Sequence, residues 1–214
     1  MPDIEQEKKA AAEAAAQLVE DGMTVGLGTG STVHYLLTAL AERGLSNIRC
    51  VATSVRTEEE ARSLGIAVEA FEALDRLDIA IDGADQIAPD GWLVKGGGAA
   101  HTREKVVAAA AERFVVIASS DKTVGGLSSP VPLELLEYGL KATLRELAPT
   151  DLRDVPRSPD GGVIADYKGD LGDPEALAYR FARTPGVVEH GLFPPSLVAD
   201  ILVARDGDVE HRRL

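Results

Sequence analysis

Short apolar runs alternate with helical segments along most of this chain, and that alternation restricts the fold more than any other property of the sequence. Residues 24–27, 48–52, 67–70, 78–82 and 114–118 are apolar runs too short for helices and rich in Val, Ile and Ala. Runs with so little polar alternation suit strands covered on both faces, as in a parallel sheet. Helical stretches are expected between them. Asp3 reads as the N-cap of a helix to about Glu20, stopped at Asp21-Gly22, with later helices over 32–43, 58–64 and 102–113. Strand, helix and strand in regular order imply a parallel, Rossmann-like α/β sheet.

After Ser128 the order of elements changes. A strand is expected at 131–136, a helix at 137–147 and a strand at 151–155. A turn at Ser158-Pro159-Asp160-Gly161-Gly162 leads into a strand at 163–167. Pro174 opens a helix to 183, and 187–189 forms one more strand. That β-α-β-β-α-β order is the ferredoxin-like arrangement. The apolar run 197–204 is expected to rejoin the first sheet. The reading is therefore a Rossmann-like domain of residues 1–127 plus 195–214, with an inserted ferredoxin-like α+β domain of 128–194.

Composition narrows the partners. With 35 Asp+Glu against 22 Lys+Arg, the formal charge is −13. Phosphate backbones are bound through net positive surfaces, so nucleic acid is not the expected partner. A small anion remains compatible, because a pocket can be locally basic. Only 7 of the 22 basic residues are Lys. Excess carboxylate with scarce Lys suggests adaptation to high salt, where screening weakens self-repulsion. Cys50 is the sole cysteine, which rules out an intrachain disulfide and a cysteine metal cluster. No stretch approaches the roughly 20 apolar residues of a membrane span. Met1-Pro2-Asp3-Ile4-Glu5 lacks the layout of a signal peptide, so a cytoplasmic location is expected.

Ligands of open parallel sheets collect where strands end at their carboxyl termini, and four loops at such places stand out. Gly28, Thr29, Gly30, Ser31 and Thr32 lead from a strand into a helix. Glycines let backbone N–H groups approach an anion, and the helix N-terminus adds partial positive charge. The glycine spacing matches neither a dinucleotide loop nor a phosphate-binding P-loop; the plain alternative is a tight turn with a Ser/Thr cap. Asp82, Gly83, Ala84 and Asp85 follow the strand at 78–82. Two carboxylates around a glycine suit sugar hydroxyls or a hard cation, and equally a turn in which one Asp caps backbone N–H groups.

Lys95 precedes Gly96, Gly97 and Gly98, a run costly to order and best explained by a ligand close to the backbone. Glu104 then lies in the first turn of a helix, with Thr102 as a candidate cap. It reads either as a macrodipole partner or as a general base. Lys122 follows the strand at 114–118 and is placed to reach a phosphate, or is a solvated loop lysine. Lys8 and Lys9 are minor candidates for further positive charge. His34, His101, His190 and His211 lack metal-ligand spacing and read as non-catalytic.

Taken in order, these segments resemble the A type of ribose-5-phosphate isomerase. The resemblance also takes in Arg103 and Lys105 beside Glu104, Pro130 to Glu134, Pro185 to Val188 and Gly191 to Phe193, and so nearly the whole chain. It implies interconversion of D-ribose 5-phosphate and D-ribulose 5-phosphate with neither metal nor organic cofactor, in a homodimer or homotetramer. It further implies that Glu104 transfers the proton, and that Thr29 through Thr32, Asp82 through Asp85, Lys95 through Gly98 and Lys122 form the substrate site. Two positions depart from the family pattern: Gln86 replaces the usual Glu, and Ser119 the usual Asp.

The residue chemistry agrees with that assignment. One carboxylate can take a proton from C2 and return it to the adjacent C1 of a cis-enediolate. Lys95 and the N–H groups of Gly96 to Gly98 suit the developing oxyanion, and Asp82 and Asp85 suit the hydroxyls. Ser31, Thr32 and Lys122 suit the phosphate. Alternatives are a related sugar-phosphate deaminase or lactonase, a metal-dependent enzyme using Asp82 and Asp85, and a sugar-phosphate-binding regulator without catalysis. A deaminase or lactonase wants a His- or Asp-centred acid–base set that cannot be placed here. A regulator predicts a DNA-binding extension or loss of the base.

Overall fold

The computed structural model describes residues 3–74 and 76–214, in two compact units. The first contains the residues up to Ala84, Arg103–Thr123 and Pro195–Leu214; the second contains Asp85–Thr102 and Val124–Pro194.

Helix α1 (Ile4–Ala16) starts at Asp3, whose carboxylate accepts from the Gln6 N–H at 3.2 Å. Then come β1 (Thr24–Leu27), α2 (Ser31–Glu42), β2 (Arg49–Ala52), α3 (Val55–Ser63) and β3 (Ile79–Asp82). Ser54 caps α3 through the Thr57 N–H at 3.2 Å, the serine N-cap role expected of its hydroxyl. The two-residue strands β4 (Gln86–Ile87) and β5 (Leu93–Val94) precede α4 (His101–Ala110) and β6 (Phe114–Ser119). Next are β7 (Val131–Leu135), α5 (Leu140–Glu146), β8 (Thr150–Leu152) and β9 (Val163–Tyr167). The chain ends with α6 (Pro174–Arg183), β10 (Val187–His190), β11 (Leu192–Phe193), β12 (Asp200–Arg205) and β13 (Asp208–Arg213).

The sheet of the first unit runs β13-β12-β6-β3-β1-β2, parallel throughout except for β13. Its centre is apolar on both faces, which is why these runs lack alternation. On α1 the small side chains of Ala11, Ala12, Ala15 and Ala16 are fully buried, letting the helix lie close to α2, β6 and β12. Cys50 is buried in this core, and desolvation, helped by the charge of Glu69, pushes its thiol up to about 12. It packs as an apolar residue and is no nucleophile near neutral pH.

Two features of this sheet differ from the expectation. Residues 67–70 contribute a single bridge, Val68 to Cys50, in place of a strand. The added β13 was unforeseen because it is a polar edge strand, Asp-Val-Glu-His-Arg-Arg, with no apolar face to read. Its turn did carry a signal. Asp206 and Gly207 both have positive φ, 51° and 92°, the two-residue hairpin geometry for which Asp-Gly is favoured.

The second unit has a four-stranded antiparallel sheet, β10-β7-β9-β8, with α5 and α6 in the ferredoxin-like connection order. A small sheet, β11-β5-β4, accompanies it. Residues 85–102 and 124–127, assigned to the Rossmann-like domain from sequence, group here with the second unit. The cause is non-local pairing: Leu192 and Phe193 of β11 pair with Val94 and Leu93 of β5. The Gln86 amide also brackets Ser128, donating to its carbonyl at 2.9 Å and accepting from its N–H at 2.8 Å.

Asp200, 2% exposed, joins β6's flank to β13: it accepts from Arg113 Nε at 2.6 Å and lies 2.5 Å from His211 Nε2. Arg113, against the effect of burial and with His211 assisting, holds its carboxyl below the ordinary range. The stability this adds is complete above the unfolded-state pKa of about 3.9 and is lost as pH falls through the lower folded value. Asp200→Asn is expected to cost about 1.5–3 kcal/mol at pH 7. In thermal melts the gap to wild type should shrink toward pH 3; equal melting at pH 7, or a gap indifferent to pH, contradicts this.

Candidate active site

The connection after β1 leads to β2 on one side, whereas that after β3 leads to β6 on the other. The crevice at such a reversal, by the carboxyl ends of the strands, is where open α/β sheets bind ligands. Here it is built from the first two loops singled out in the sequence. Gly28 N–H donates to Ile81 O at 3.0 Å, and Thr29 N–H to Asp82 Oδ1 at 3.0 Å. Gly83 N–H donates to the same Oδ1 at 2.7 Å. Asp82 is thus the organiser of both loops and is 3% exposed. A Cβ on Gly28 would overlap that carboxylate, so only glycine lets the β1 loop close onto Asp82. Thr57 Oγ1 donates to Gly28 O at 2.9 Å, and the Thr29 and Thr53 hydroxyls meet at 2.7 Å. Gly30 stands at the N-cap of α2 without a side-chain cap, and exposed Ser31 opens the helix. The first N–H groups of this 12-residue helix thus have no side-chain cap, and such helix N-termini favour anions.

Helix α4 ends beside the start of β3, where Leu77 N–H donates to Ala110 O at 3.1 Å. Its first turn therefore stands at the carboxyl edge of the sheet. A Cβ on Gly26 would meet Val107 of α4, so helix and β1 are in close contact. Glu104 lies one turn before Val107, 4% exposed, at the positive end of α4. The helix starts at His101, one residue ahead of the expected position. Thr102 is not its cap: the hydroxyl donates to buried Glu134 Oε2 at 2.5 Å.

Lys122 closes a short 3-10 turn, Ser120–Lys122, after β6, with its ammonium 3.1 Å from Asp121. Burial raises the Asp121 carboxyl, but hydrogen bonds from Ser119 and Lys122 outweigh it and hold the pKa below the ordinary value. Ser119, one of the two departures, serves as that donor. Behind the turn stands Glu7, which sequence reasoning missed. This 4% exposed carboxylate accepts the Ser120 N–H at 2.8 Å and the Asp206 N–H at 3.4 Å. Burial raises its pKa too, and the Ser120 and Asp206 hydrogen bonds bring it below normal. The available signal was its position, four residues before Ala11 and eight before Ala15 on the buried face of α1. Lys8 and Lys9 pair with Glu5 and Glu13 of their own helix.

In the second unit, exposed Asp85 follows Ala84 directly, and its N–H donates to Val94 O at 2.8 Å. Its Oδ2 accepts the Gly97 N–H at 2.7 Å. That revises one expectation, since the Gly97 N–H is committed to Asp85 and is no oxyanion donor. Lys95 is 3% exposed, its backbone N–H on Gly191 O at 2.8 Å and its ammonium 5.5 Å from the Phe193 ring centroid. Gly96 has φ of +104°, a region L-residues rarely enter, and a Cβ there would press on His101 and Pro132. Gly97 and Gly98 are exposed. Arg153 donates to the carbonyls of Gly96 and Gly97, a contact without sequence signature.

Of the histidines, His34 pairs with Glu60 and His211 with Asp200, while His190 lies 3.7 Å from Glu189. His101 is completely buried against Gly96. Among the described residues no three His, Cys, Asp or Glu side chains form a metal-holding group, and no helix is long and apolar enough to cross a membrane.

Residues 49–208 match the family model of ribose 5-phosphate isomerase A (phosphoriboisomerase A). Residues 4–68 also match a model of the DeoR C terminal sensor domain. The chain is 44% identical to the ribose-5-phosphate isomerase A of Caulobacter vibrioides, over 95% of this chain and 96% of that one. Among solved structures, ribose 5 phosphate isomerase A of Neisseria gonorrhoeae superposes with a TM-score of 0.95 at 30% identity, covering 100% and 98% of the two chains. A D-ribose-5-phosphate isomerase in complex with phospho-erythronic acid superposes with a TM-score of 0.93 at 33% identity, covering 99% and 100%.

Proposed function

The chain belongs to the ribose-5-phosphate isomerase A family and interconverts D-ribose 5-phosphate and D-ribulose 5-phosphate, and from that premise we propose that Glu104 carries the transferred proton. The observation that most supports this role is a carboxylate 4% exposed in the first turn of α4, at the carboxyl edge of the sheet. As carboxylate it takes the C2 proton of the open-chain aldose, and as acid it returns that proton to C1. Between these steps the O2 hydroxyl loses a proton and O1 gains one, so the sugar passes through a cis-enediolate with no net change in composition.

Lys95 and the N–H groups of Gly96 and Gly98 meet the charge on the enediolate oxygens, and one such donor lowers the barrier by about 3–4 kcal/mol. Asp82 and Asp85 orient hydroxyls and assist proton movement during ring opening. The phosphate goes to Ser31, Thr32 and the N-terminus of α2, with Lys122 as counter-charge. Binding energy spent there, remote from C1 and C2, positions the reacting carbons. Thr29, Gly30, Gly83 and Ala84 complete the substrate site through backbone shape. The chemistry needs neither metal nor organic cofactor. The proposed setting is the cytoplasm, as a homodimer or homotetramer.

The match of residues 4–68 to a sensor domain favours one second reading, a regulator that binds a sugar phosphate without turning it over. The isomerase assay separates the two. Purified protein in EDTA is expected to interconvert the pentose phosphates; binding without turnover favours the sensor, and strict metal dependence removes the mechanism. Run from dilute buffer to molar salt, the same assay tests the salt adaptation expected of a −13 chain. In it, Lys122→Ala should raise KM about tenfold, the loss of roughly 1.4 kcal/mol of ground-state binding, with little change in kcat. An unaltered KM means that Lys122 does not touch the phosphate.

A further inference from the structure

Resting on that reading of the site, we propose that Arg153 is a positioning residue for catalysis, fixing the triple-glycine turn and, through it, the carboxylate of Asp85. Arg153 follows β8 and belongs to the ferredoxin-like fold, far along the chain from the motifs that mark the site. Its guanidinium is 18% exposed and is held on Asp166 of β9, Nε to Oδ2 at 3.1 Å and Nη2 to Oδ1 at 2.5 Å. The remaining terminal nitrogen, Nη1, donates to Gly96 O at 3.0 Å and Gly97 O at 3.2 Å. A planar fork is required for this, two donors on a carboxylate and another shared by two carbonyls, and an ammonium cannot reproduce it.

Each end of the contact has a consequence for the site. The Gly96 carbonyl belongs to the same peptide as the Gly97 N–H, which donates to Asp85 Oδ2 at 2.7 Å. A cation on the carbonyl oxygen polarises that peptide and makes its N–H a stronger donor. The Gly97 carbonyl likewise shares its peptide with the N–H of exposed Gly98. Arg153 therefore sets the direction of two successive N–H groups, one holding Asp85 and one in the oxyanion-binding stretch. Three consecutive glycines have no side chains to fix their own dihedrals, and the entropy opposing one ordered conformation is large. An external clamp supplies the order. Asp166, 15% exposed, in turn fixes the clamp. The ferredoxin-like insertion thereby acquires a part in catalysis although none of its strands carries a proposed reacting group.

The test measures kcat, KM and melting temperature for wild type, Arg153→Ala, Arg153→Lys, Asp166→Asn and the double variant Arg153→Ala/Asp166→Asn. A mispositioned turn is expected to cost Arg153→Ala about 30- to 100-fold in kcat with KM within about threefold. Ethylguanidinium at about 20–50 mM is expected to restore at least fivefold of that loss, because it fills the vacated fork. Arg153→Lys should remain at least about tenfold down, lacking the fork. Asp166→Asn should lose less than Arg153→Ala, and the double variant should be no worse than Arg153→Ala, since the residues act as one unit.

Wild-type kcat in Arg153→Ala overturns the proposal. So does a loss that tracks melting temperature, adds in the double variant and is untouched by ethylguanidinium, since that is the behaviour of a purely structural ion pair. Should Arg153→Ala fail to fold, Arg153→Lys and Asp166→Asn decide: kcat losses at wild-type melting temperature support the clamp, and full kcat in both overturns it. Absence of turnover in the wild type instead defeats the isomerase reading on which the proposal rests.

Discussion

Glu104→Gln is expected to lower kcat by about 10³-fold, within the range found for removal of a general base, and to leave KM within about threefold. The substitution preserves shape and hydrogen-bonding reach and removes only the capacity to hold a proton. Magnitude separates this role from the plain alternative. A carboxylate that merely complements the α4 macrodipole contributes about 0.3–1 kcal/mol, and its loss shows in the melting temperature. A 10³-fold loss of kcat corresponds to roughly 4 kcal/mol of barrier, which no macrodipole contribution reaches. Steady-state kinetics beside a thermal melt distinguish the two. Near-normal turnover with a lowered melting temperature would remove Glu104 as the base and leave it a helix-end carboxylate.

Gly28→Ala should have the next largest effect, through geometry alone. The added methyl would occupy the space of the Asp82 carboxylate, which holds the N–H groups of Thr29 and Gly83. Either the β1 loop lifts or Asp82 rotates, and both undo the crevice where Thr29 to Thr32 approach the loop after β3. Overpacking of this kind costs about 1–3 kcal/mol of stability, and misplacement of about 1 Å costs on the order of 10² in kcat/KM. Gly125→Ala is the control, because a Cβ there meets nothing within 4 Å. The account expects the first variant to lose both activity and melting temperature and the second to lose neither. A fully active Gly28→Ala enzyme would mean that close contact between glycine and carboxylate is not needed.

What the sequence made legible follows from how each element is stabilised. The parallel strands were readable because burial on both faces leaves an unbroken apolar run, as in Phe114–Ser119. The ferredoxin-like order was readable from turns and from Pro174 at a helix start. Strands β4, β5 and β11 were not, since two residues carry no periodicity and β5 finds β11 about a hundred residues on. That pairing is why residues 85–102 left the domain to which they were assigned. At the site, glycines and clustered carboxylates were conspicuous because a close backbone approach and a paired charge restrict residue type. Glu7 and Arg153 escaped for the opposite reason. Both act on backbone groups, Glu7 on the Ser120 N–H and Arg153 on two glycine carbonyls, and every residue offers such groups. The commitment of the Gly97 N–H was hidden for the same reason: a backbone-capping Asp is among the readings of the Asp82–Asp85 loop, but nothing in the sequence names Gly97 as the partner of Asp85.

Proton transfer through an enediolate, with Glu104 as the carrier, is the central claim, and solvent isotope incorporation tests it most directly. Ribose 5-phosphate is incubated with the wild-type enzyme and EDTA in deuterated buffer, and proton NMR follows C1 of the ribulose 5-phosphate over many turnovers past equilibrium. A carboxylate that carries the proton exchanges it with solvent in some fraction of turnovers. Deuterium is therefore expected to accumulate at C1 of the ketose and C2 of the aldose, and Glu104→Gln should slow the accumulation in step with its roughly 10³-fold loss of turnover. Continued interconversion with no deuterium at either carbon would show direct hydrogen transfer between C2 and C1 and contradict the mechanism.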